Sequence, residues 1–296
     1  MPDFWCDALA LVLPPGSADD PWLRQTFGLA LTALLLLGAL CAALGVRVVN
    51  ARLSFFTDAV GHGALAGMGL GLLLQLHGWP VDMRVALGVF SALFGLGVVW
   101  LTRTSRLSSD AATGALFSLV TAAGLVLVKL LPHQRAAALS SVILYGSVMT
   151  VKSDDLAHLG ALALVCLVFL AWSSNRLALM DLDSRLARAH GVVTAAYEYG
   201  YAVLLALVVA AAARLGGILL VTALLILPAA GARGFARTWG GQFWWAQAIA
   251  ATSAVIGFRL AAWDALRAPA GAAVALTSGT WFAVSSLVAW RRHARG

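Results

Sequence analysis

Phe55-Phe56-Thr57-Asp58-Ala59-Val60-Gly61-His62-Gly63-Ala64-Leu65-Ala66-Gly67-Met68-Gly69-Leu70-Gly71 opens an apolar segment that carries one carboxylate and one imidazole four residues apart. The segment reads as a helix over residues 53–77, and at about 1.5 Å per residue it is long enough to cross a hydrocarbon layer of roughly 30 Å. Helical spacing puts Asp58 and His62 one turn apart on the same face. An ionisable group in hydrocarbon must be paired, hydrated or bound to something. The fold and the chemistry of the chain both turn on this stretch.

The surrounding sequence has the same character. Hydrophobic residues make up 61% of the 296 positions and charged residues 11%, whereas a soluble domain carries roughly half apolar and a quarter charged residues. Apolar runs near 27–46, 53–77, 84–102, 110–131, 155–173, 195–213, 216–233, 244–263 and 270–290 predict an all-α polytopic membrane protein. The expectation is about nine transmembrane helices, within a range of about 8–10. The shorter run 136–149, with Ser140, Ser141 and Gly146, reads as a re-entrant or interfacial helix. Residues 1–24 lack the basic n-region of a signal peptide and read as a short external tail, leaving 25–296 as one transmembrane domain.

A net charge of +7 would point to nucleic acid in a soluble protein, but here the basic residues lie between apolar runs, so no nucleic-acid partner is expected. With the N-terminus outside, the inward segments hold Arg47, Arg52, Arg103, Arg106, Arg176, Arg185, Arg188, Arg233, Arg237, Arg291, Arg292 and Arg295. The outward ones hold Arg24, Arg84, Lys129, Arg135, Lys152, Arg214 and Arg267. That bias favours an external N-terminus and a cytoplasmic C-terminus. The cysteines, Cys6, Cys41 and Cys166, are too scattered to hold a metal cluster, and Cys41 and Cys166 read as packing residues.

Counting inward from Arg52 puts Asp58 roughly 9 Å and His62 roughly 15 Å deep, near the midplane where transporters hold substrate. Such a pair suits a divalent metal ion, but it offers at most three donor atoms, short of the four or more that Zn²⁺ or Mn²⁺ takes. A homodimer facing the same surface of two copies would complete an Asp₂His₂ site. Ala59, Gly63, Gly67 and Gly71 form a small-residue ridge that serves either such an approach or packing within one subunit. Hydrogen bonding of Asp58 and His62 to each other or to a neighbouring helix is the structural alternative.

Glu198, the single glutamate, is a secondary candidate on the path, with an interfacial position beside Tyr197 and Tyr199 as the simpler reading. His77, His133, His158 and His293 fall at span ends or in loops and read as surface residues, and Arg259 with Asp264 as a structural pair. Ser173–Gly191 is amphipathic and reads as a cytoplasmic surface helix or a solvated linker. The stretch Ala232-Arg233-Gly234-Phe235-Ala236-Arg237 follows Pro228 and reads either as a helix docking Phe235 into a groove on a cytosolic partner or as a plain basic loop. There is no P-loop: Lys152-Ser153 is preceded by Val151, so ATP-driven work would need a second polypeptide.

Several motifs together carry a resemblance. Phe56-Thr57-Asp58-Ala59-Val60-Gly61-His62, Leu144-Tyr145-Gly146-Ser147 with Asp154-Asp155-Leu156, Asp183/Ala187/Ala189/Gly191 and the run Gly217–Thr238 resemble segments of the membrane permease subunits of bacterial zinc/manganese/iron uptake ABC transporters. Thr57, Ser147 and the long spacer between Asp264 and Pro269 depart from that pattern. The resemblance implies a permease homodimer in the inner membrane, not itself an enzyme. It also implies a cytosolic ABC ATPase partner and a periplasmic or lipoprotein metal-binding protein as supplier. By the same resemblance Asp58 and His62 match the metal-coordinating positions, and Ala232–Arg237 falls in the ATPase-coupling segment. No cofactor is permanently bound; the divalent ion, zinc or manganese with iron as a third candidate, is cargo. The rivals are a proton-coupled metal carrier working without an ATPase and, ranked lower, an intramembrane enzyme using Asp58 and His62 as acid and base.

Overall fold

A computed structural model describes residues 21–105, 108–135, 139, 146, 148–262 and 269–293. Its long helices are α1 (Pro21–Asn50), α2 (Ser54–Leu76), α3 (Met83–Thr104), α4 (Ser109–Lys129) and α5 (Ser153–Leu182). The short α6 (Ser184–Ala189) follows, then α7 (Thr194–Phe235), α8 (Trp239–Ala262) and α9 (Ala270–His293). Eight of these are long and apolar enough to cross a membrane, and no strand occurs among the described residues. The prediction of an all-α polytopic protein therefore holds.

The difference from nine spans lies in α7. Its 42 residues join two predicted spans, and at Gly217 the backbone leaves helical geometry with φ 79° and ψ 163°. A positive φ suits a residue without Cβ. The segments on either side, 194–216 and 218–235, are each of the ~20-residue length that crosses a bilayer. Most of the predicted helix at 136–149 and most of the predicted tail 1–24 lie outside the described residues, as do Leu144, Tyr145, Ser147 and Asp264.

The described residues sort into two compact units. One takes the chain up to Val46, Tyr145–Ala163 and Leu215–Gly296; the other takes Arg47–Leu144 and Leu164–Arg214. In the first, α1, the end of α7, α8 and α9 bury Leu34, Leu37, Leu44, Leu220, Leu224, Leu225, Ile249 and Phe258. Polar atoms tie the same helices: Gln247 Nε2 donates to Ala39 O at 3.0 Å, Gln242 Nε2 to Ala229 O at 3.2 Å and Thr277 Oγ1 to Ser253 O at 3.1 Å. With no water in the hydrocarbon, each such donor must find a partner inside the protein.

Helices in this unit cross at small residues because lipid tails supply no hydrophobic drive between helices, leaving close packing to hold them. A Cβ at Gly45 would sit 2.0 Å from Leu225 O, and one at Gly257 would sit 2.5 Å from the Cα of Val274. Gly45→Ala is therefore expected to force two helix backbones apart and lower stability by about 1–3 kcal/mol. Gly160→Ala, where a Cβ meets nothing within 4 Å, is its neutral control. Thermal unfolding of the purified variants measures the difference, and equal midpoints would refute this close crossing.

In the second unit α2 packs on α3 and α4, and the small-residue ridge is what allows it. A Cβ at Gly67 would meet Phe90 at 3.2 Å, one at Gly71 the Cβ of Ala86 at 3.0 Å, and one at Gly63 Val120 at 3.4 Å. Of the two roles open to the ridge, close approach of a second copy or packing within one subunit, the fold takes the second. The ridge residues Ala59, Gly63, Gly67 and Gly71 are all buried. The amphipathic segment 173–191 also resolves differently from a separate surface helix. Its first part continues α5 without a break to Leu182; Asp183 then turns extended and accepts from Arg185 N at 2.7 Å, capping α6.

Candidate metal-ligand site

The chain enters α2 through a turn in which Arg52 takes a left-handed φ of 56°, closed by Ala51 N donating to Arg47 O and Leu53 N to Val48 O, both at 2.8 Å. From there α2 buries Phe56, Thr57, Ala59, Val60, Gly61, Gly63 and Ala64 against its neighbours. Beyond Ser54, the residues left partly uncovered along its first turns are Phe55, Asp58, His62 and Leu65, spaced three, four and three apart and so on one face. Asp58 and His62 lie at the middle of that stripe, with side chains 42% and 39% exposed.

Within the pair, His62 Nδ1 donates to the backbone oxygen of Asp58 at 3.0 Å and stands 3.6 Å from its Oδ1. This backbone bond is not a special feature. His77, His158 and His190 make the same contact to the carbonyl four residues back, at 2.8, 2.6 and 2.9 Å. Its chemical consequence matters more: with Nδ1 carrying the proton, the lone pair lies on Nε2, the nitrogen that a metal ion would take. Phe117 of α4 meets the imidazole edge-on, with ring centroids 5.4 Å apart, and fixes the ring plane.

Among the described residues there is no group of three or more His, Cys, Asp or Glu side chains that could hold a metal ion. Glu198 is engaged elsewhere: its carboxylate accepts from Arg103 Nε at 2.8 Å. His77, His133, His158 and His190 are exposed.

Sequence reasoning missed a second polar feature of the same unit. Arg47 and Asp181 form an ion pair at 3.2 Å with side chains only 7% and 6% exposed, and the Arg47 guanidinium lies 4.4 Å from the centre of the Tyr201 ring. Arg47 Nη1 and Asp181 Oδ2 are buried without a hydrogen-bond partner. The pair borders a cavity of about 420 Å³ that also touches Asn50, Thr102, Glu198 and Tyr201. The pair joins residues 134 positions apart, and no spacing pattern announces such a contact.

The Ala232–Arg237 segment forms the last turn of α7 and the link that follows, and does not stand as a separate short helix. Arg233 and Arg237 are exposed, as a docking surface or a basic loop requires. Phe235 between them is half-covered and packs on Trp245 with ring centroids 5.0 Å apart. The short link 236–238 brings the start of α8 back beside this ring.

A chain with eight long apolar helices among its described residues and a half-open carboxylate–imidazole pair on one of them has the build of a membrane transport permease. The model of the ABC 3 transport family matches residues 24–289, and the chain belongs to that family. The high-affinity zinc uptake system membrane protein ZnuB of Haemophilus influenzae is 30% identical over 256 residues, 86% of this chain and 95% of its own length. The manganese import system permease protein ScaB of Streptococcus parasanguinis is 27% identical over 269 residues, covering 88% and 89%. A chain of PsaBC from Streptococcus pneumoniae in complex with Fab shares the fold, with a TM-score of 0.76 at 24% identity over 96% of this chain and 95% of that one.

Proposed function

We propose that the chain is the permease subunit of an ATP-driven importer for a divalent transition-metal ion, zinc or manganese with iron as a third candidate. Two copies would act together in the bacterial inner membrane by alternating access, N-terminus outside and C-terminus in the cytoplasm. The observation that carries the reading is the pair itself. Asp58 and His62 are half-exposed in an apolar helix, share one uncovered face, and have no third ligand among the described residues. A second copy presenting the same face supplies the missing donors. Asp58 is the hard, charge-neutralising ligand and His62 the nitrogen ligand, a mixture that suits both Zn²⁺ and Mn²⁺. Metal transport by the relatives ZnuB and ScaB, as their names state, supports the cargo class.

Energy would come from a cytosolic ABC ATPase docked at Ala232–Arg237, and metal from an extracytoplasmic binding protein. The exposed Arg233 and Arg237 support the docking role. Arg233→Glu combined with Arg237→Glu is expected to reduce co-purification of the ATPase subunit about tenfold through like-charge or lost-pair effects. Normal recovery of the ATPase with the double variant would count against this surface.

Glu198 is a weaker path residue, because a bound guanidinium neutralises its carboxylate. Reconstitution of the permease with its ATPase, followed by uptake assays over a panel of divalent ions, tests the whole reading. Uptake must need ATP; transport in liposomes with a proton gradient and no ATP would favour the lone-carrier alternative instead.

A further inference from the structure

The geometry points to a binding site for one anionic phospholipid on the flank of α5, where the helix leaves the hydrocarbon. A cavity of about 450 Å³ there is lined by Phe169, Trp172, Arg176, His190, Val193 and Tyr197, together with Gly191, Val192 and Ala196. Its wall is aromatic: the Trp172 and Tyr197 rings stand 5.8 Å apart. The Arg176 guanidinium lies 5.2 Å from the first ring centre and 5.5 Å from the second, and donates to the Tyr197 hydroxyl.

Arg176 differs from the two ion-paired arginines of its unit. Arg47 and Arg103 are each matched by a carboxylate of their own unit. Arg176, by contrast, finds a neutral phenol and, among the described residues, no acid. No carboxylate is among the described residues that line the cavity. Asp181 is held by Arg47, and Asp183 is turned to the start of α6. A guanidinium at the edge of the low-dielectric layer wants an anion, and its planar fork matches the oxygens of a phosphate.

The position favours a lipid as the source of that phosphate. Along α5, Leu164, Val165, Leu167, Val168 and Trp172 are exposed by half or more, a continuous apolar track leading to the cavity. A span of about 20 residues starting near Asp155 ends close to Trp172–Arg176, so the aromatic pair lies at the depth where such rings anchor helices to the headgroup layer. Beyond it the exposed Arg185 and Arg188 of α6 add positive charge and disfavour a cationic headgroup. A phosphate on Arg176 with an acyl chain along the α5 track uses every one of these features.

The inference stands apart from the metal-import reading, and its test does not use transport. The full-length chain is placed in nanodiscs of mixed phosphatidylglycerol and phosphatidylethanolamine, and the lipids it retains are counted by native mass spectrometry. The wild type is expected to keep phosphatidylglycerol preferentially, and Arg176→Gln to lower that retention about fivefold. Val193→Glu, at an exposed rim position that does not endanger folding, is expected to lower it similarly, and Arg84→Gln at the start of α3 to leave it unchanged.

Equal retention of the two lipids by the wild type, or an undiminished preference in monodisperse Val193→Glu protein, would overturn the site. Complete displacement of the lipid by inorganic phosphate alone would also overturn it, since the acyl chain would then contribute nothing. If Arg176→Gln instead loses co-purifying ATPase while lipid preference is kept, the pocket is a protein contact and the lipid assignment is wrong.

Discussion

Alanine at Asp58 or at His62 is expected to cut metal accumulation roughly 100-fold, at least the effect that losing a group merely supporting a metal ligand can have. The pair sits on the uncovered face of α2, and among the described residues no other ligand shares the load. With the His62 Nδ1 proton committed to Asp58 O, Nε2 is the ring's single available donor atom. Each alanine therefore removes one of two ligand types outright. Because both ligands would act on one ion, the double variant should lose little beyond either single one, a non-additivity that independent sites do not show. Uptake of radioactive zinc and manganese into cells lacking other importers measures this, normalised to permease abundance in the membrane. Both side chains are half-exposed, so neither alanine is expected to disturb folding. Unimpaired accumulation in both variants would remove the site from the proposal.

The second large effect concerns stability. Arg47→Met should cost about 3–5 kcal/mol, because it strands the Asp181 carboxylate in a nearly closed environment. Asp181→Leu alone should cost a similar amount by leaving the guanidinium unpaired. Combining Arg47→Met with Asp181→Leu should recover most of the loss, since apolar groups in place of a buried ion pair leave no charge to desolvate. Arg47 Nη1 and Asp181 Oδ2 lack partners even in the intact pair, which makes the native arrangement less favourable than its short distance implies. The Arg47–Tyr201 ring contact is lost in both variants that lack the arginine, so full recovery is not expected. Thermal unfolding of the four proteins in detergent provides the cycle. Additive losses in the double variant would show that Arg47 and Asp181 do not depend on each other.

How far the sequence could be read depended on the range of the interactions involved. The transmembrane helices were legible because a run of apolar residues the length of a bilayer is a property of adjacent positions. At residues 194–235, where the sequence predicts two spans, the helical hydrogen-bond pattern runs past Gly217, and its non-helical φ and ψ mark the division between them. Asp58 and His62 stood out because two ionisable groups at helical spacing in an apolar run are anomalous on local grounds alone. The recognition of the permease family rested on motifs of the same local kind. Phe235 stands between two arginines in the sequence, but Trp245, which packs against its ring, lies in the next helix.

Hydropathy, helix periodicity and motif spacing act over a few turns of chain, and they were enough for the membrane-spanning class, the family and the candidate ligands. Which small residues serve packing, which carboxylate each arginine meets and which face of α2 remains open depended on segments far apart in the chain coming together. Gly63 against Val120, Glu198 against Arg103 and Asp181 against Arg47 are such meetings. Contacts of that range leave no periodic mark, because burial and ion pairing answer to distance in space and not to separation along the backbone.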